Sequence, residues 1–155
     1  MGQYTKHQTL EPFEFNGEKI TAVVKRISRK DFKKVLGRMQ KINALNTEVA
    51  EKAGVPPIIE VDGKKVSNPV FSAEIEKDPR FMDEIMQVID EIAPSLKDYV
   101  VSIDGPKDGT GSIVPLEAII DEACWMKLLT HIVLGIVNTA NLGEAEGNSA
   151  QPSPA

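Results

Sequence analysis

Phe13-Glu14-Phe15-Asn16-Gly17-Glu18-Lys19-Ile20, followed by Ser28-Arg29-Lys30-Asp31-Phe32-Lys33-Lys34-Val35-Leu36, holds a change of hydrophobic period from strand to helix, and that change decides the fold. In the first stretch Phe13 and Phe15 alternate with Glu14, and Ile20, Ala22 and Val24 carry the alternation onward. Asn16-Gly17 supplies the pair of φ > 0 residues that a type I′ turn requires, so a β-hairpin is predicted. In the second stretch Phe32, Val35, Leu36, Met39 and Ile42 recur at helical spacing. A helix is expected over 29–53, ended by Gly54 and Pro56-Pro57. Ser28 and Asp31 stand at capping-box spacing, although Asp reaches back less well than the usual Glu.

At about 100° per residue the apolar stripe of this helix centres opposite Lys30, Lys34, Arg38 and Lys41, so burying one face gathers the basic residues in water. Beyond it, Ile58-Ile59-Glu60-Val61, Asp62-Gly63 and Lys64-Lys65-Val66 have the pattern of a second, smaller hairpin, while the flanking prolines fit a structured loop equally well. Asp78-Pro79 predicts a helix start, because Asp caps free amides and Pro at the first position gives up no needed bond. Phe81, Met82, Ile85, Val88, Ile89 and Ile92 line that helix as far as Pro94. Tyr99 to Ile103 reads as a short strand or as the continuation of a helix from Ser95, and Asp104 to Ser112 reads as a mobile loop. Pro115 opens a last helix in which Leu116, Ile119, Ile120, Ala123, Met126, Leu128, Ile132, Val133, Ile136 and Val137 are apolar over more than one face. Burying it takes the rest of the domain or a second subunit.

The predicted class is therefore α+β: an N-terminal β-hairpin packed on a mainly α-helical domain. A flexible N-terminus over 1–8, one domain over 9–142 and a disordered tail over 143–155 are expected, since the tail lacks any large apolar residue to offset its ordering entropy. With 155 residues, 41% of them hydrophobic, the chain can bury one ordinary core. Net charge is −5, but residues 1–53 hold 11 Lys/Arg against 6 Asp/Glu and the remainder 7 against 17. Such asymmetry suits nucleic-acid contact by the basic part, or two ends that meet different partners or each other. The single cysteine excludes an intramolecular disulfide and fits a reducing cytoplasm. No apolar leader opens the sequence, and the run from Leu128 to Val137 is too short to span a bilayer, so no membrane association is expected.

No catalytic constellation is present. Asp104, Asp108 and Gly109 fall at EF-hand positions, but Pro106 and Pro115 stand where two ligands are needed. Gly109-Thr110-Gly111-Ser112 lacks the ending that cradles phosphates. His7 is expected in a frayed terminus and His131 as a satisfied or interfacial histidine, so neither has the companions of a zinc ligand. Cys124, beside Trp125, is expected as a small core residue. Glu74, Glu76, Asp83, Glu84, Asp90 and Glu91 fall on helix faces where solvation is the default. Neither enzymatic activity nor a cofactor or metal is expected.

The hairpin Phe13 to Ile20, the helix opening Ser28-Arg-Lys-Asp-Phe32, the acidic helix Asp78 to Ala93, the closing helix from Pro115 and the polar ending Gly147 to Ala155 follow one another in an order that resembles the tail assembly chaperones of long-tailed bacteriophages. The likeness covers the chain from about Thr9 onward, and residues 54–71 look like an insertion it does not explain. It implies a non-catalytic factor in the host cytoplasm, absent from the finished virion, that keeps the tape measure protein soluble and helps recruit tail tube subunits. In many members a ribosomal frameshift near the gene's end yields a longer product, and the polar ending fits either a natural terminus or the short form of such a pair.

A chaperone of this kind needs an apolar surface for its client and a charged exterior. Trp125, Leu129, Ile132, Val133 and Ile136 are the candidate client surface or a site of homo-oligomerisation, and the competing reading places them in the core. Two other functions fit the sequence: a minor structural protein of the virion, and a nucleic-acid-binding phage regulator using the cluster from Lys25 to Arg38. The missing aromatic readers and the acidic whole chain weigh against nucleic acid.

Overall fold

The computed structural model describes residues 6–141. The tail expected over 143–155 and residues 1–5 lie outside the described residues. The elements in chain order are β1 (His7–Thr9), β2 (Phe13–Phe15), β3 (Glu18–Ile20), β4 (Ala22–Lys25), α1 (Arg29–Ala53), β5 (Ile58–Val61), β6 (Lys64–Ser67), α2 (Pro69–Glu76), α3 (Pro79–Ile92), a 3-10 turn (Ala93–Ser95), α4 (Leu96–Tyr99), β7 (Val100–Ile103), α5 (Leu116–Asp121), a second 3-10 turn (Ala123–Trp125) and α6 (Met126–Asn138). The chain is mixed α+β, with its first strands preceding its helices. Two compact units form: the described residues up to 32 with those from 91 onward, and residues 33–90. Each carries its own set of buried apolar residues.

In the first unit, β4 is the centre of a three-stranded antiparallel sheet ordered β1-β4-β7. His7 pairs with Lys25, so the end of the N-terminus expected to be flexible is a strand held by a ladder. β2 and β3 form the expected hairpin, with Phe15 opposite Glu18 and Asn16 and Gly17 at φ 51° and 81°. The alternation read through Ile20, Ala22 and Val24 holds in their burial, but the strand is interrupted at Thr21, after which β4 leaves the hairpin for the other sheet. β7 is a strand, which settles the two readings of that segment.

The last helix is two helices. Glu122 takes extended backbone at φ −96°, ψ 130° and separates α5 from α6. The cause is phase: Ile119 and Leu128 are both buried, yet on one continuous helix they would face about 180° apart. Breaking the helix turns both inward. α6 then buries Leu128, Leu129, Ile132, Val133, Ile136 and Val137, packing on β2, β4 and α5. Gly135 is the point of closest approach, because a Cβ there would stand 2.6 Å from Leu10 Cδ1.

Buried polar groups tie this unit together. Ser28 begins α1, its Oγ accepting from the Asp31 amide at 3.1 Å. The Asp31 carboxylate does not close a capping box directly, since the Tyr99 hydroxyl stands between. It accepts from the Ser28 amide at 3.0 Å and donates to Asp31 Oδ2 at 2.6 Å. Thr139 accepts from the Ile27 amide at 2.8 Å and donates to the Ile136 carbonyl. The segment from Asp104 to Ser112, expected to be mobile, is anchored: Asp104 Oδ1 accepts from the Thr21 amide at 2.7 Å, and Asp108 Oδ1 accepts from the Thr110 and Ser112 amides. Val114 N–H donates to the Pro106 carbonyl and closes it.

In the second unit, β5 and β6 form the smaller hairpin, turned by Asp62 and Gly63 at φ 52° and 77°. Asn68 caps α2, its Oδ1 accepting from the Val70 amide at 3.0 Å, with Pro69 at the first helical position. Asp78 caps α3 in the same way through the Arg80 amide at 2.9 Å. Val35, Ile42, Phe71, Ile75, Ile85, Val88 and Ile89 are its buried apolar residues.

Two expectations follow. Burial first, and the Asp31 carboxylate second, raise the Tyr99 hydroxyl above its usual pKa of 10.0. Its stabilising contribution is therefore complete below about pH 10 and is lost as pH rises through the raised value. Tyr99→Phe should cost about 2 kcal/mol in urea denaturation at neutral pH and remove that alkaline component. Gly135→Ala should also destabilise, by about 1 kcal/mol or more, because the clash with buried Leu10 outweighs the gain in helix propensity. A higher thermal midpoint for that variant would refute the close approach.

Candidate protein-binding surfaces

The five apolar residues singled out near the chain's end do not form one surface. Leu129, Ile132, Val133 and Ile136 are 0–2% exposed, so a client reaches none of them while the unit is folded. They belong to the core, for the reason given by α6 itself: its neighbours lie on β2, β4 and α5 together. Trp125, at the turn before α6, stays half-buried.

Around Trp125 the structure assembles a surface from distant residues. The Phe15 ring lies 5.4 Å from the Trp125 ring and 6.4 Å from that of Phe13, and Phe13 lies 5.2 Å from the His131 ring. All four are half-buried, so β2 and α6 present a continuous aromatic row. His131 Nε2 donates to the Glu11 carbonyl at 2.7 Å, which fixes the entry of β2 on α6. It is the satisfied histidine that its apolar setting predicted. The alternation of Phe13 and Phe15 signalled a sheet face, but nothing in the sequence pairs that face with Trp125, because the contact joins residues more than a hundred positions apart.

The basic face of α1 is partly as expected. Lys30, Lys34 and Lys41 are exposed. Arg38 is drawn into the fold: its Nη1 lies 3.1 Å from Glu84 Oε1 on α3, whose side chain is only 14% exposed. Glu84, read as a solvated carboxylate, is thus a structural partner.

A second ionic cluster joins α1 to the start of α3. Arg80 Nη2 lies 2.7 Å from Asp78 Oδ2 and also bonds Glu48. The guanidinium holds both carboxyls below their ordinary range, and they raise it in turn. Asp78 and Arg80 rim an open depression with Lys52, Lys77 and Glu74. Lys77 bonds Glu74 at 3.4 Å, and Arg80 is committed to its two carboxylates, so the depression has no set of polar groups converging on a ligand.

Cys124 is exposed rather than in the core, because the break at Glu122 places it on a 3-10 turn. The Asp104 loop spends its carboxylates on backbone amides, and Asp108 is held below its ordinary range mainly by Thr110. Among the described residues no group of three or more His, Cys, Asp or Glu is arranged to hold a metal ion, and no helix is long and apolar enough to cross a membrane. The β5–β6 hairpin, within the segment that resembled an insertion, has no fully buried residue and leaves Ile58 and Val61 about half exposed. No family model, curated protein or solved structure matches the chain.

The core placement of α6 has a direct check. Ile132→Asn and Ile136→Asn should each cost about 3 kcal/mol or more, since each buries an amide without a partner. Trp125→Ala, at a half-buried position, should leave the circular dichroism spectrum intact. A folded, stable Ile132→Asn variant would return α6 to the surface.

Proposed function

We propose that the chain is a non-catalytic assembly factor, a tail assembly chaperone that binds a tape measure protein and helps recruit tail tube subunits around it in the host cytoplasm. The half-exposed aromatic row of Phe13, Phe15, Trp125 and His131 is the observation that carries this reading, because such a factor needs an apolar surface that is accessible while the protein is folded. Aromatic rings supply large contact area at little cost in rotamer entropy, which suits the shielding of an apolar stripe on a long helical client. The element order that carried the resemblance also supports it: hairpin, long capped helix, central acidic helix, closing helices. The client surface thereby moves from the inner face of α6 to the edge where β2 meets it.

Co-expression with a long helical tape measure protein tests the reading. The expected result is a soluble complex that survives high salt, since apolar contacts are not screened. Phe15→Ala with Trp125→Ala should reduce client capture by about tenfold. Failure to form a complex, with nucleic acid co-purifying at low salt and released as salt rises, would replace it with the regulator reading.

A further inference from the structure

β5 and β6 form a sheet of two strands whose main contacts are with each other, and neither strand has a buried residue. Two strands without a third strand or a helix to cover them are at best marginally stable in water. The two edges of this sheet differ. β6 carries Lys64 and Lys65, the residue type that blunts an exposed edge, and runs directly into α2. β5 carries Ile58, Ile59 and Val61 with Glu60 as its one charge, and Ile58 and Val61 are about half exposed. The open edge of β5 is thus apolar and unguarded.

The register fixes which groups that edge offers. Asp62 and Gly63 make a two-residue turn, so Val61 and Lys64 are a hydrogen-bonded pair, and the alternation of an antiparallel ladder makes Ile59 and Val66 the next. The Asn68 amide, donating to the Pro57 carbonyl at 2.9 Å, continues the series. The amides and carbonyls of Ile58 and Glu60 therefore point away from β6, and no strand or backbone group among the described residues pairs with them. Pro56, next in that phase, has no N–H to offer, so the usable edge runs from Ile58 to Glu60.

A strand running antiparallel to this edge and centred opposite Ile59 meets all of these groups, and β5 itself is such a strand. About a two-fold axis at Ile59, Ile58 of each copy pairs with Glu60 of the other. The two Ile59 side chains then meet at the non-hydrogen-bonded site, where side chains stand closest. One face of the resulting four-stranded sheet carries Val66 and Ile59 of one copy, then Ile59 and Val66 of the second, in a single row of β-branched residues. Charge agrees with this register. Each Glu60 stays opposite its own Lys65 and faces Ile58 across the axis, whereas pairing β6 with itself gathers the lysines of both copies at the new junction. Pairing β5 with β6 of another copy would also match Glu60 with Lys65, but it repeats the copies every two strands, about 9.6 Å, and leaves no room for α2 or α3, each about 10 Å across.

We propose that a second copy of this chain docks on β5, two-fold about Ile59, and extends the hairpin to a four-stranded antiparallel sheet. The edge is short, well below the area of a permanent dimer, so the association is reversible and governed by concentration. The site involves none of the residues of the aromatic row and does not depend on the chaperone reading.

Sedimentation equilibrium of the full chain from about 1 µM to about 1 mM should show monomer and dimer, with a dissociation constant on the order of 100 µM. Ile58→Lys adds a charge to the edge at a half-exposed position, and Glu60→Pro removes an outward N–H without removing a hairpin bond. Each should weaken dimerisation by at least about tenfold and leave the circular dichroism spectrum intact. In a Cys124→Ser background, Ile59→Cys should cross-link on oxidation and Ile58→Cys should not, since only Ile59 meets itself across the axis. A chain that stays monomeric up to about 1 mM overturns the proposal, as does a dimer that neither edge variant weakens. A mass that keeps rising past the dimer overturns it in favour of open-ended β5–β6 stacking. A labelled peptide of about ten residues, alternating Val and Thr, serves as the competing strand. Its capture by a chain that itself stays monomeric overturns the two-fold dimer and assigns the edge to an extended segment of another protein.

Discussion

The burial of α6 is the constraint on which the first unit depends. Its six buried residues span about half the circumference of the helix, so no single sheet face can cover it. The solution is to surround it: β2 and β4 on the strand side, α5 folded back beside it after the break at Glu122. The cost is a backbone interruption and two helices too short to be stable alone, and it is offset by placing Ile119 and the α6 stripe in one core. Once α6 is enclosed, its interior cannot also serve a partner. His131 on its rim and Trp125 at the turn before it stay half-buried, and the aromatic row forms there because β2 must lie against α6 to close the core.

Polar side chains complete what the apolar residues begin. Two chain crossings that hydrophobic packing leaves undetermined are fixed by hydrogen bonds over long sequence separations: Tyr99 to Ser28 and Asp31, and Thr139 to Ile27. Both act on the segment between β4 and α1, and so set where the long helix starts. A hydroxyl inserted into a capping box extends the reach of Asp31, whose side chain is one carbon shorter than that of the usual Glu. The same economy appears at Asp104, which accepts the Thr21 amide where the hairpin gives way to β4 and so supports the departure of the strand.

Local signals were legible in the sequence and long-range ones were not. The Asn16-Gly17 turn, the start of α1 at Arg29 and its end at Ala53, and the Asp78 cap all follow from residues within a few positions of each other. The same logic would have found α2, whose Asn68-Pro69 start repeats Asp78-Pro79, but its short apolar run gave no periodicity to draw attention to it. The division of the last helix was encoded in the phase difference between Ile119 and Leu128, which reads as breadth of apolar surface until a break is allowed. The loop from Asp104 shows the opposite failure. Its Gly, Pro and Asp residues signal departure from regular structure and say nothing about mobility, and the same carboxylates that suggest a flexible polar loop are the ones that fasten it.

Apolar periodicity reports that a face is buried, but not by what. For Leu129, Ile132, Val133 and Ile136 the covering elements lie in the same chain, and burial there removes them as a binding surface. α1 presents the converse case. Only Val35 and Ile42 of its 25 residues are buried, so most of the helix serves no core, and its composition is free to answer to solvent or to a partner. Solvent alone would favour strong helix formers at every exposed position. Lys33, Lys34 and Lys41 meet that demand, and Gly37 between them does not. The apolarity of a helix and its accessibility are thus separate properties, and burial within the chain is what tells them apart.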